Sequence, residues 1–415
     1  MAFASGRVSF VRFGVDGDAP ATVDETALSI LKAGAFKEQE IGVPDAVELG
    51  FTTGVHLFDV QFSFEKNGYG PAGSWMLFAM RVDTHQPPSE VKQAYRKMNE
   101  LAAAEASPTG FASKREKRDA KDTADRQLNE DLAAGKFRRS RTVPLLWDLA
   151  DKTLYCGSAS ITVMEHVARL MREHFAVELR YLSSGGLAGE ALRRLGRDRD
   201  FEDMQPSAFT DPPADFRVDE DSDDAGPSDR TIPRVPWVQK SVDLKDFLGN
   251  EWLIWLWWLS ETAEGRVDVE ADSKLKVAAA EAYVVIDQAL DMECAWETLG
   301  KQTLRGDGPT RLLEAGDALA TGKWPRKLGL ILTDGEHQWQ LTLAGDRYAV
   351  SSAALPEIED AQHPRELMDG RLDRTMKLAQ LLDGMFLQFV KLRASDRWAD
   401  ARRKIRKWIR ERVTK

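Results

Sequence analysis

The chain predicts an α+β fold built from several subdomains. Three observations carry that expectation: period-two apolar stretches such as Val60, Phe62 and Phe64, amphipathic stretches at helical spacing, and a length of 415 residues, enough for more than one core. A hydrophobic share of 43% and a charged share of 30% match globular averages, which excludes a collagen-like, disordered or membrane-embedded class.

The elements follow in order. Residues 8–13 read as a strand, 24–33 as an amphipathic helix, and 55–64 and 74–82 as further strands. Pro87 and Pro88 punctuate the chain, and Ser89 can cap a helix from Glu90. Residues 114–132, within a charged segment 113–134, form a helix with no apolar face to bury, which should project into solvent. The apolar run 142–148, a short turn and 153–156 give a hairpin across 141–156. A helix at 160–174 and a strand at 177–182 complete a first region, 1–182.

Residues 183–243 break the rhythm with Gly-Gly and Pro-Pro pairs centred on 185–237, and with acidic clusters across 198–229. They read as an insertion or linker. A third region, 244–394, opens with a helix at 247–259 whose four tryptophans read as buried core, too short to span a bilayer. Strands at 267–269, 283–286, 328–332 and 338–343 and helices at 310–321 and 369–392 follow; residues 395–415 form a basic amphipathic helix. No internal repeat occurs.

A net charge of −10 argues against a phosphate-tracking protein until its distribution is considered. From 391 to 415, eleven basic residues face three acidic ones, while the acidity gathers in 198–229. Cys156 and Cys294 are too few for a disulfide framework and lack zinc spacing, which fits a reducing, cytoplasmic setting. No signal-peptide pattern and no run of about 18 apolar residues appears, so no membrane span is expected.

No catalytic constellation emerges. The densest carboxylate cluster, 219–224, lies in the acidic segment; the histidines show no HExxH or HxH spacing; Gly306 to Thr310 lacks a P-loop ending. The reading is a non-enzyme with no metal and no cofactor, and a metal-dependent exonuclease is the enzymatic alternative.

Cationic spacing is more informative. Lys114, Lys117, Arg118 and Lys121 follow i, i+3, i+4, i+7 and form one stripe, with Glu116, Asp119 and Asp122 pointing elsewhere. Directly beyond lie Lys136, Phe137, Arg138, Arg139 and Arg141; a phenylalanine among cations suits a wedge, a base-stacking group or a subunit contact. In the last helix, Trp398, Ala401, Ile405, Trp408 and Ile409 share one arc, and Arg403, Arg406, Lys407 and Arg410 the opposite one. That helix alone suits DNA or an anionic membrane surface equally, so a membrane-surface adaptor is a further alternative.

The runs VKQAYRKMNELAAAEA, KREKRDAKDTADRQLNEDL, GKFRRSRTVPLLWD and LYCGSASITVMEHVARLMREHF resemble the central part of the RdgC (recombination-associated protein) family. LGKQTLRGDGPTRLLEAGDALATGKWPRKLGLILTDGEHQWQLTL resembles its C-terminal half. The resemblance implies a horseshoe-like α+β fold closing into a ring as a homodimer, binding of double-stranded DNA without sequence preference, and restraint of a RecA-type recombinase. By the same resemblance, Phe137 matches an aromatic of a finger-like tip where subunits meet, and Lys301 and Gln302 a pair near the other subunit contact or the hole. The acidic insertion and the basic tail depart from the family pattern. The DNA reading requires cations from separate stretches to line one wall.

Overall fold

The computed structural model describes residues 3–38, 44–213, 232–275, 277–298, 300–359 and 361–413. In chain order the elements open with β1 (Val8–Asp16), α1 (Glu25–Ala33), β2 (Val47–Thr52), α2 (Phe64–Asn67), β3 (Gly68–Tyr69), β4 (Trp75–His85), α3 (Ser89–Ala106) and α4 (Lys114–Ala133). Next come β5 (Arg138–Asp148), β6 (Thr153–Cys156), α5 (Ile161–Phe175), β7 (Glu178–Tyr181), α6 (Ser184–Arg194) and α7 (Asp198–Glu202). After these follow α8 (Phe247–Thr262), β8 (Arg266–Val269), β9 (Ala280–Cys294), β10 (Lys301–Gly306) and α9 (Leu313–Ala320). The chain closes with β11 (Lys323–Thr333), β12 (Gln338–Ala344), β13 (Ala349–Ala354), α10 (Pro364–Arg393) and α11 (Trp398–Val413). The α+β class holds, with antiparallel strand pairing.

Two compact units interleave in sequence: a smaller one of Gly17–Lys152 and Ile161–Glu178, and a larger one of Met1–Asp16, Thr153–Ser160 and Leu179–Lys415. This differs from the sequential division into 1–182, 183–243, 244–394 and 395–415, because the first strand and β6 join the larger unit's sheet.

In the smaller unit, β4 pairs with β5 over its whole length and with β2 on its other side. Phe51, Phe78, Trp147 and Phe175 meet edge to face in its core, beneath α5. The strand expected at 55–64 is not formed. Its alternation is that of a loop gathered on buried Asp59, which accepts hydrogen bonds from the Thr53 hydroxyl, the Gln61 amide and the Lys66 ammonium. The strand here is β2, ahead of it, and Phe58 stays exposed while Phe62 is buried.

In the larger unit the order is β10-β9-β11-β12-β13-β1-β6, with β8 also on β9. Helix α8 is buried as its tryptophans predicted: Trp252 stacks on Tyr348, and Trp257 meets Trp408 edge to face. Gly249 touches Gly345 backbone so closely that a Cβ there would sit 2.0 Å from the Gly345 carbonyl oxygen. Arg12 on β1 grips Asp383 of α10 through two hydrogen bonds.

The expected linker is largely folded core where it is described. Helix α6 buries Ala188, Ala191 and Leu192, and Met204, Phe209, Val235 and Trp237 are buried as well. Its glycines, read as breakers, instead allow close packing: Gly185 lies against Asp243 and Gly189 against Phe201. The acidic run 219–224 lies outside the described residues.

Candidate nucleic-acid interface

Helices α3 and α4 pack together as an antiparallel hairpin within the smaller unit. Two cross-links tie the root half of α4 to α3: the Tyr95 hydroxyl donates to Asp131 at 2.6 Å, and the Asn99 amide to Gln127 at 3.1 Å. Contrary to the expectation from its sequence, α4 does bury an apolar seam. Ala120, Ala124 and Leu128, at i, i+4 and i+8, are buried; alanines give a shallow seam that the surrounding charge conceals in the sequence. Helix α3 begins at Ser89 with Pro88 at its N-cap, one residue earlier than expected.

A capping box starts α4. The Glu116 amide donates to the Ser113 hydroxyl at 3.3 Å, and the Ser113 amide to the Glu116 carboxylate at 2.7 Å, which holds that carboxyl below its ordinary pKa. Lys114, Lys117, Arg118 and Lys121 are all exposed and make no ion pair among the described residues. On a helical wheel Lys117 and Lys121 share an arc of roughly 60° with Ala124 and Leu128, so the stripe flanks the α3 seam. Charge is polarised along the helix. Arg115 joins the four stripe cations in the first two turns against Glu116 and Asp119, whereas Asp122, Asp125, Glu130 and Asp131 oppose Arg126 further on. Cations at an N-terminus work against the helix dipole, and together with free backbone amides they make that end attractive to anions. On α3, exposed Lys92, Arg96 and Lys97 are matched in number by Glu90, Glu100 and Glu105, so the positive charge of the arm is local to the start of α4.

The second basic cluster serves the hairpin's root. Lys136 binds Asp131 at 2.6 Å, so that Asp131, which also accepts from Tyr95, is held below its ordinary pKa while the ammonium is raised. Arg138 pairs with Glu38 and approaches Asp83 at 3.9 Å, a carboxylate already gripped by Arg81. Arg139 and Arg141 are exposed on one face of β5 and make no ion pair among the described residues. Phe137 is half-buried, with φ at +65°, at the junction of α4 and β5. At about 1.5 Å per residue, the stripe lies roughly 18 to 28 Å along α4 from this root, so stripe and root are two sites. The hairpin's apex instead carries Phe111, 80% exposed.

The cations of α11 belong to the larger unit, and six of its seven basic residues share four carboxylates. Arg403 pairs with Asp400, Arg406 and Arg410 both with Asp211 (2.7 and 3.4 Å), Lys407 with Glu411 at 3.6 Å, and Arg412 with Glu261. Trp398, Ile405, Trp408 and Ile409 are buried, so the apolar arc that a membrane adaptor would insert is already covered. Lys301 and Gln302 lie on the edge strand β10: Lys301 meets Glu293 at 3.3 Å, and Gln302 accepts from Lys323 and donates to the Glu314 carbonyl.

Among the described residues no group of three His, Cys, Asp or Glu side chains could hold a metal ion, and no helix is long and apolar enough to cross a membrane. Burial pushes the Cys156 thiol up to about 11, out of the reactive range. No known family model and no curated protein matches this chain.

Proposed function

We propose that this protein binds double-stranded DNA without sequence preference, using the N-terminal half of α4 as its principal phosphate contact. One observation carries the reading: Lys114, Lys117, Arg118 and Lys121 stand exposed on one arc of a two-helix arm, without acidic partners among the described residues and at the helix end where cations are least favourable for stability. Surface charge placed against the helix dipole has its use in a ligand. Phosphate contacts position a protein on the duplex and carry no base information, which is why the binding is sequence-independent. Arg139 and Arg141 offer a second, separate basic site at the arm's root. The finer parts of the proposal, a homodimeric ring and restraint of a RecA-type recombinase in the nucleoid, rest on the RdgC resemblance and on no contact described above.

The test is the salt dependence of duplex affinity. Four phosphate contacts give a slope near −3.6 in log–log form, or a loss on the order of a hundredfold between 50 and 200 mM salt. Each Lys→Ala change in the stripe lowers the slope by about 1. An affinity indifferent to salt, or a slope unmoved in the K114A/K117A/R118A/K121A variant, overturns the assignment. Sedimentation of the full chain with and without duplex tests the dimer separately.

A further inference from the structure

Phe111 is the most exposed large apolar side chain among the described residues, at 80%. It sits at the end of the α3–α4 arm, in a turn held by its own hydrogen bonds. The Gly110 amide donates to the Ser107 carbonyl at 3.0 Å, the Ser107 and Thr109 hydroxyls meet at 3.0 Å, and the Thr109 hydroxyl reaches the Phe111 carbonyl at 3.3 Å. Pro108 follows the first residue of that turn, where its fixed φ suits the bend. Two residues later Ser113 caps α4, so the ring stands immediately before Lys114, Arg115, Lys117 and Arg118.

We propose that Phe111 stacks on a nucleobase exposed at a duplex end, gap or single-stranded junction, giving the arm a preference for such sites over continuous duplex. This rests on the DNA reading above and adds to it a structural class of target. The charge around the ring selects the occupant. A second copy of this chain would bring like cations to the same point, whereas a polyanion offers phosphates to Lys114, Lys117 and Arg118 and a flat π-face to the ring. Stacking is tolerant of base identity, so it agrees with binding that reads no sequence. The base-stacking chemistry expected at Phe137 is thus presented by Phe111, since Phe137 is half-buried at the arm's root.

The experiment uses the full chain and three fluorescently labelled DNAs: a blunt duplex, the same duplex with a short gap, and the single strand. A 2-aminopurine at the gap serves as stacking probe. The wild type is expected to prefer the gapped and single-stranded forms and to quench the probe. Phe111→Ala is expected to weaken both of those about tenfold, within the range for one base on one aromatic ring, while duplex affinity stays within about twofold. Phe111→Trp is expected to restore preference and quenching. Equal affinity of F111A for all three DNAs relative to wild type, with no change in quenching, overturns the stacking role and leaves the phosphate stripe standing if K114A/K117A/R118A/K121A still loses binding. A wild type that binds none of the three overturns both. A fall in sedimentation mass on F111A with DNA affinity unchanged also overturns it, by assigning the ring to contact between copies.

Discussion

Helices α4 and α11 are similar as sequences and different as parts of the molecule. Both are rich in Lys and Arg and both carry an apolar face, yet α4 buries only Ala120, Ala124 and Leu128 and leaves its stripe unpaired, whereas α11 buries Trp398, Ile405, Trp408 and Ile409 and pairs most of its cations with acids. Asp211 and Glu261 come from distant parts of the larger unit, 195 residues before Arg406 and 151 before Arg412. The same local composition therefore yields a docked structural helix in one unit and an anion-facing arm in the other. What separates them is the supply of counter-charge and of large apolar side chains from elsewhere in the fold.

The comparison breaks most visibly on stability. Trp408 is 8% exposed, meets Trp257 with ring centroids 5.8 Å apart, and donates its indole N–H to Glu261 at 3.1 Å. Trp408→Ala is expected to lose about 3 to 5 kcal/mol in urea unfolding, chiefly through cavity formation where the indole packs on Trp257. Leu128→Ala in α4, on a shallower seam, is expected to lose about 2 kcal/mol, at the low end for buried leucine. Equal losses would mean that the arm is as deeply anchored as α11.

A smaller effect sharpens the electrostatic half. Asp211 is 75% exposed and holds both Arg406 and Arg410. Asp211→Asn removes the carboxylate that Arg406 and Arg410 share, at little structural cost, because exposed ion pairs contribute under about 1 kcal/mol. Duplex affinity is expected to rise a few-fold at low salt. If pairing does not matter, R406A/R410A in the otherwise native chain should weaken DNA binding as much as changes in the α4 stripe do.

Much of this fold was legible because periodicity and burial agree: β1, β4, β5, α5, α8 and α11 lie where the apolar spacing placed them. The misses have physical causes. Strand β13, Ala349–Ala354, is built of small residues with a central Ser pair, and β10, Lys301–Gly306, is a hydrophilic edge strand, so neither shows an apolar alternation. Residues 55–64 alternate without being a strand because one carboxylate, Asp59, outcompetes sheet pairing for the local donors. At the site, the Lys114 to Lys121 spacing was readable, since helical geometry alone puts those residues together. The pairing of Arg406 and Arg410 with Asp211 was not readable, since Asp211 reaches them only through the tertiary fold. Phe111 was passed over for a similar reason: exposure of a single aromatic is a property of the turn that presents it.

The smallest expected effect concerns the arm's root. Asp131 accepts from Lys136 and from Tyr95, and these bonds hold its carboxyl below the ordinary value of 3.8. A depressed carboxylate contributes stability that is fully present above its unfolded pKa and is lost as pH falls through the lower, folded one. The contribution is therefore constant from neutral pH down to about 4 and fades below that. Asp131→Asn removes the charge that Lys136 needs, so the difference in hairpin amide protection between wild type and D131N should be level across the neutral range and shrink in acid. Helix α11 provides the internal standard, because amides there should not respond to this substitution. A difference that stays level into acid would assign the tie at the root to the hydrogen bond from Tyr95, which a protonated carboxyl still accepts, and not to the ion pair.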